Sequence, residues 1–358
     1  MSLRNLLLIA SLIVSVIIGL IIARGDGHAA GSGAKKRLVI GLSLDTLKEE
    51  RWQGDRDRFV ARCRELGAEV LVQSANSDDS VQMQNIEGLI ANGVDALVIV
   101  PHDGKAMAKA VEKAKSVGIP VIAYDRLIRD CDLDLYCSFD NIEVGRQQAR
   151  YLVKQLAALD DKNHTILRIY GAPTDNNAKL FKAGQDEILE PLIASGAISV
   201  VHADWAEDWK PENAKKIVSA AITKGVHFAG ILASNDGTAG GAIQALSEEG
   251  LSGVIVTGQD AELAACQRIA GGSQAMTIYK PLSLLAASAA ELAVAMAKRQ
   301  VVVANATVDN GRKAVPAALF GVVTVTKANL LDTVIKDGFL AYDDVFRGIA
   351  APPARPAK

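Results

Sequence analysis

From Arg37 onward, short apolar runs rich in β-branched residues alternate with stretches of helical period, and this alternation leaves the chain few architectures. RLVIGLSL (37–44), EVLVQ (69–73), ALVIV (96–100) and PVIAY (120–124) are short and bounded by turn residues, as strands are. Between them Met83, Ile86, Leu89 and Ile90, then Met107, Ala110, Val111 and Ala114, keep the spacing of a half-buried helix. Strands separated by helices predict a parallel sheet covered on both faces. The order then repeats, with strands at 165–170, 198–202, 230–233, 254–258 and 274–278 and helices near 177–194, 210–224, 236–249 and 262–270. Two similar α/β halves are the simplest architecture, meeting near 140–145, where a helix at 145–156 begins. A helix at 282–298 and strand-like runs at 301–303 and 320–325 follow, free to complete either sheet.

A length of 358 residues fits about two domains. The net charge of −2 gives no basic excess for a nucleic acid. With 49% apolar and 22% charged residues the chain is not disordered. Aromatics are only 4%, so a site that gathers any of the three Trp stands out.

The N-terminus does not belong to this pattern. Arg4 precedes an apolar or small run of 18 residues, Leu6 to Ala23, and small residues follow from His28 to Ala34. Charged start, apolar middle and small-residue zone predict a signal peptide cut near Ala29 or Ala30. The run also reaches the threshold for a retained membrane anchor. Both readings export the rest of the chain.

Export places Cys63, Cys131, Cys137 and Cys266 where a disulfide persists. Cys131 and Cys137 flank a turn in CDLDLYC and are the candidate bridge, the alternative being separate buried thiols. No Cys-x-x-Cys occurs and the five His are scattered, so no metal site is expected.

In parallel α/β sheets ligands bind beyond the carboxyl ends of strands. Those ends carry Asp45 and Glu50-Arg51-Trp52, Asp125 and Arg126, and Asp175 to Asn177. Later ends carry Trp205 and Trp209, Asn235 and Asp236, Gln259 and Asp260, and Tyr279 and Lys280. The set holds no evident nucleophile paired with a base, so no catalytic residue and no enzyme activity are expected. It suits a neutral polyhydroxylated ligand instead. Carboxylate and amide oxygens accept from hydroxyls, Arg, Lys and amide nitrogens donate to them, and indole faces cover the C–H faces of a pyranose. The competing reading is that each polar residue only caps the next helix.

Cofactor signals fail their context. Gly25-x-Gly27-x-x-Ala30 precedes the first strand instead of following one, and neither a Walker A sequence nor G-x-S-x-G occurs. GTAGG (237–241) opens a helix and is read as allowing close packing against the sheet.

ERWQGDRDRF (50–59), QSAN (73–76), AYDR (123–126), SFDN (138–141), DNNAKLF (175–181), ASNDGTAGGAIQAL (233–246), GQDAEL (258–263), YKP (279–281) and VIKDGF (334–339) resemble the bacterial periplasmic D-xylose-binding proteins. These are receptors of ABC sugar importers within the ribose/galactose-type periplasmic binding protein family. The similarity runs from about Arg37 to Phe339.

The resemblance implies two Rossmann-like lobes with parallel sheets, a three-stranded hinge and a sugar in the cleft. It implies an N-terminal lobe of 37–142 plus about 281–308 and a C-terminal lobe of 143–280 plus about 309–342, preceded by the export segment, 1–30, and followed by a flexible tail, 343–358. Arg51, Trp52, Asp125 and Arg126 would contact the sugar from the first lobe. Asp175, Asn177, Trp209, Asn235, Asp260 and Lys280 would do so from the second lobe and the crossings, with Trp209 preferred to Trp205 as the stacking residue. The implied function is capture of D-xylose or a related monosaccharide by a periplasmic monomer and delivery to an ABC permease. A retained anchor would favour a membrane-tethered sensor signalling to a kinase or chemoreceptor. Cys131 and Cys137 are not an expected feature of the family, and the apolar N-terminal run is longer than a usual periplasmic signal.

Overall fold

A computed structural model describes residues 37–159 and 164–355. The expected export segment at 1–30 lies outside the described residues. The first five strands are β1 (Leu38–Leu44), β2 (Ala68–Ser74), β3 (Ala96–Ile99), β4 (Val121–Tyr124) and β5 (Leu135–Phe139). Helices α1 (Glu50–Glu65), α2 (Asp79–Ala91) and α3 (Ala108–Ser116) join the first four. Helix α4 (Asn141–Leu156) then leads to β6 (Thr165–Tyr170), β7 (Ser199–Trp205), β8 (Gly230–Ala233) and β9 (Ile255–Val256). These alternate with α5 (Asn176–Ala194), α6 (Pro211–Thr223) and α7 (Asp236–Glu248). The chain continues through α8 (Leu263–Gly271), β10 (Met276–Tyr279), α9 (Leu282–Ala297), β11 (Ala306–Asp309), β12 (Ala314–Phe320) and β13 (Val323–Thr326), and closes with short helical turns at Leu331–Ile335 and Tyr342–Val345.

One sheet has seven strands in the order β11-β12-β5-β4-β3-β1-β2, parallel except at its β11 edge. A second runs β7-β6-β8-β9, all parallel. The antiparallel pair β10-β13 continues it, the Ala275 N–H reaching the Val256 carbonyl at 3.0 Å. The chain therefore passes between the halves three times, before α4, before α9 and after β12.

Burial explains why α9 crosses back. Its sequence, LSLLAASAAELAVAMA, is apolar on nearly every side, and Leu282, Leu285, Ala286, Ala289, Ala290 and Ala293 are buried with Ile40, Leu42, Val98 and Ile122 of the first sheet. The opposite face of that sheet packs Leu97, Ile99 and Val121 against Ala110, Val111 and Ala114 of α3. Alternating strand positions thus feed two cores, which is why the strands read as continuous apolar runs.

Several expectations are corrected. The last change of lobe comes not at about 309 but after Phe320, because β12 is hydrogen-bonded in parallel to β5. Residues 301–303 form no strand, and Val301 is 93% exposed. Asn305 ends the ladder there, its side chain accepting from the Leu319 N–H at 2.9 Å and donating to the Leu319 carbonyl at 2.8 Å. The tail expected to be flexible from 343 instead buries Val345 and Phe346 beside Cys266 and Ile269. Cys131 and Cys137 are not bridged, and all four cysteines are free and buried. Cys137 points into the α9 side of the first sheet and Cys131 into the α3 side, so the sheet itself separates them. GTAGG permits close packing against a helix, not the sheet, since a Cβ on Gly241 would lie 2.0 Å from the Pro211 carbonyl oxygen that opens α6.

Candidate functional site

The carboxyl ends of both sets of strands converge on one cavity, the place where ligands bind in parallel α/β sheets. Arg51, Trp52, Asp125, Arg126, Asp175, Asn177, Trp209, Asn235, Asp260 and Lys280 all line it. Asp45, Thr46, Glu49, His102, Phe181 and Gln259 line it as well, and Trp205 does not, being packed on Tyr170 with ring centroids 4.9 Å apart.

Backbone geometry aims several of these side chains. Asp125, Trp209 and Asp260 have φ of 61°, 58° and 99°, a region costly for residues other than glycine. The Asp125 carbonyl is held by the Tyr136 hydroxyl at 2.8 Å, the Ser138 hydroxyl at 2.7 Å and the Asn177 amide at 3.0 Å. The Asp260 N–H donates to the Ile278 carbonyl at 2.8 Å. Neighbouring strands therefore hold both turns in place.

Charged groups pair across the halves. Arg51 is in ionic contact with Asp125 of its own half and with Asp260 of the other at 3.2 Å, and Lys280 Nζ lies 2.8 Å from the same Asp260 oxygen. Arg126 reaches Asp45 at 2.7 Å and Asp175 at 2.9 Å. Both guanidinium groups lie against the Trp52 ring, 4.4 and 5.2 Å from its centroid. Asn177 donates to Asp125 Oδ1 at 3.0 Å and accepts from Asn141 at 2.9 Å.

Protonation follows these contacts. Burial pushes Asp125 up, but Arg51 and Lys280 outweigh it and hold the carboxyl below its ordinary range. Burial likewise opposes ionisation of Asp45, yet hydrogen bonding to His102 and the charge of Arg126 bring it down to about 2. At Asp175 burial outweighs Arg126 and the pKa is raised. Gln259 Oε1 is buried without a hydrogen-bond partner, an acceptor left for a donor in the cavity.

The capping reading and the cavity reading hold together. Asp175 accepts the Asn177 N–H at 2.8 Å through one oxygen and the Trp209 indole N–H at 3.1 Å through the other. Asn235 forms a capping box with Thr238 while its residue lines the cavity. Trp209 also meets Phe181 edge to face, with centroids 6.2 Å apart. It lies so close to Gly171 that a Cβ there would fall 1.9 Å from the ring. Sequence reasoning did not single out Gly171, Phe181, His102 or Asn141. Of these Asn141 and Phe181 lay in quoted motifs, SFDN and DNNAKLF.

Among the described residues no helix is long and apolar enough to cross a membrane, and no cluster has the ligands of a metal ion. The model of the periplasmic binding protein domain matches residues 40–300. The D-xylose-binding periplasmic protein of Haemophilus influenzae is 50% identical over 319 residues, covering 88% of this chain and 95% of its own. That of Escherichia coli is 47% identical over 333 residues, covering 92% and 98%. A carbohydrate transporter solute-binding protein from Chloroflexus aurantiacus, solved in complex with D-glucose, aligns with a TM-score of 0.79 at 36% identity, over 86% of this chain and 98% of its own.

Proposed function

Because the chain belongs to the periplasmic binding protein family, we propose that it captures D-xylose between its two halves and delivers it, as a periplasmic monomer, to the permease of an ABC importer. The observation that carries the reading is one cavity lined from both halves by two indoles, three cations and several carboxylates and amides. Trp52 and Trp209 cover the C–H faces of the pyranose. Asp125, Asp175 and Asp260 accept from its hydroxyls, while Arg51, Arg126, Lys280, Asn177 and Asn235 donate. Only the closed arrangement offers all of these at once, so the ligand shifts the population toward closure. The protein binds its ligand and releases it unchanged.

The choice of xylose rests on relatives about half identical to this chain, whereas the relative in complex with glucose is 36% identical. The test is a thermal-shift screen of pentoses and hexoses followed by calorimetry, since a ligand bound only by the native state raises stability by mass action. Xylose is expected to give the largest shift. No response to xylose beside a clear response to another sugar overturns the specificity.

A further inference from the structure

The buried stripe of α1 reads Trp52, Asp55, Phe59, Cys63, and the aspartate is its one charged member. Asp55 is 2% exposed, and the one hydrogen-bonding group beside its carboxylate is the buried Tyr124 hydroxyl. Its one ionic contact is Arg51 Nε, one helical turn back at 3.6 Å, and that nitrogen lacks a hydrogen bond. Arg51 in turn faces Asp125 and Asp260, and Lys280 pairs with Asp260. Three carboxylates thus share two cations in a place with little water, which leaves one negative charge without compensation.

We propose that Asp55 is a positioning residue for the ligand cavity: it supports the Arg51 guanidinium from behind and takes up the proton that neutralises this cluster when the halves close on a sugar. The inference rests on the sugar-binding reading above. Burial, opposed by Arg51, raises the Asp55 pKa to about 7. The other groups acting on it are Asp125, which raises it further, and the Tyr124 hydroxyl and Lys280, which lower it. Helix α9, packed against α1, brings one charged group, Glu291, and this pairs with Arg62 at 2.6 Å. Strand β2 brings Glu69, which is exposed. A group that gains a proton on closure makes binding tighter at low pH, and the gain is lost as pH rises through its closed-state pKa.

The test is calorimetry of xylose binding to the full chain and to Asp55→Asn and Asp55→Ala, between about pH 5.5 and 8.5, in buffers of different ionisation enthalpy. The wild type should lose about fivefold in affinity across that range and take up protons on binding. Asp55→Asn keeps the affinity of the acid limb at every pH and takes up none. Asp55→Ala, which removes the support under Arg51, binds more weakly throughout. Persistence of the pH step and proton uptake in Asp55→Asn would place the proton on another group and overturn the proposal, as would full affinity in Asp55→Ala. Failure of the wild type to bind xylose would instead count against the functional reading. Asp55 is then followed by carboxyl-carbon NMR of the ligand-free and the xylose-bound chain, where the signal missing from Asp55→Asn must titrate at higher pH when the sugar is bound. An equal or lower pKa in the bound chain overturns the proposal.

Discussion

Arg126 Nε and Asp175 Oδ2 lie 2.9 Å apart, although Arg126 follows β4 in one sheet and Asp175 follows β6 in the other. The same guanidinium holds Asp45 at 2.7 Å, so one buried cation serves a carboxylate from each half. Removing it leaves Asp175 buried without a countercharge and Asp45 with His102 alone, at about 3–5 kcal/mol for a broken buried pair. Arg126→Met is therefore expected to weaken sugar binding about a hundredfold or more and to lower the unfolding temperature. Arg126→Lys should also fail, because a point charge does not span two carboxylates as a planar fork does. Calorimetry showing either variant within about threefold of wild type would exclude this role.

The strand ends that carry these residues were legible in the sequence because parallel sheets place ligands there, and all ten expected contacts line the cavity. Other features lie beyond what spacing conveys. Asp55 sits in ERWQGDRDRF among charged residues, and only the docking of α9 on α1 shows that its face is covered. Cys131 and Cys137 are near in sequence, but Cys137 on β5 faces one core while Cys131, in the loop before that strand, is buried in the core on the other side of the sheet, which chain distance does not report. The last crossing was misplaced because an apolar strand such as AVPAALF fits an edge of either sheet. Its pairing with β5 is a long-range choice.

Trp209 owes its place to a missing side chain. Gly171 leaves the ring its room, since an added Cβ would fall 1.9 Å from Cη2. Trp209→Ala should weaken sugar binding by roughly 2 kcal/mol, the scale of a lost aromatic anchor. Gly171→Ala should act in the same direction by displacing the ring, with no proposed contact residue itself replaced. Unchanged affinity in both variants would show that the indole does not contribute.

The cysteines provide a chemical check on the fold. Burial pushes the Cys63 and Cys137 thiols up to about 12 and Cys131 to about 11, and it raises Cys266 as well. Buried thiols of this kind are poor nucleophiles. Native protein should resist alkylation. Protein unfolded in denaturant without reductant should take up four labels by mass, one for each free cysteine. Uptake of only two would reveal a disulfide.

The pair between His102 and Asp45 makes stability depend on pH from both sides. His102 Nδ1 lies 3.1 Å from Asp45 Oδ1. Hydrogen bonding to Asp45 raises the His102 pKa against the opposing effect of burial, and Asp79 adds to the rise. A raised histidine contributes stability that is complete below its unfolded pKa of about 6.5 and is lost as pH rises through its folded value. Asp45, held at about 2, contributes stability above its unfolded pKa of about 3.9 that disappears as pH falls through the folded value. The pair is worth most between those limits. His102→Gln should cost about 1 kcal/mol near pH 5.5, less near pH 8.5, and less again as pH falls toward 2. Denaturant unfolding of both proteins across this range measures the difference, and a cost that stays constant with pH would mean that the contact carries no charge.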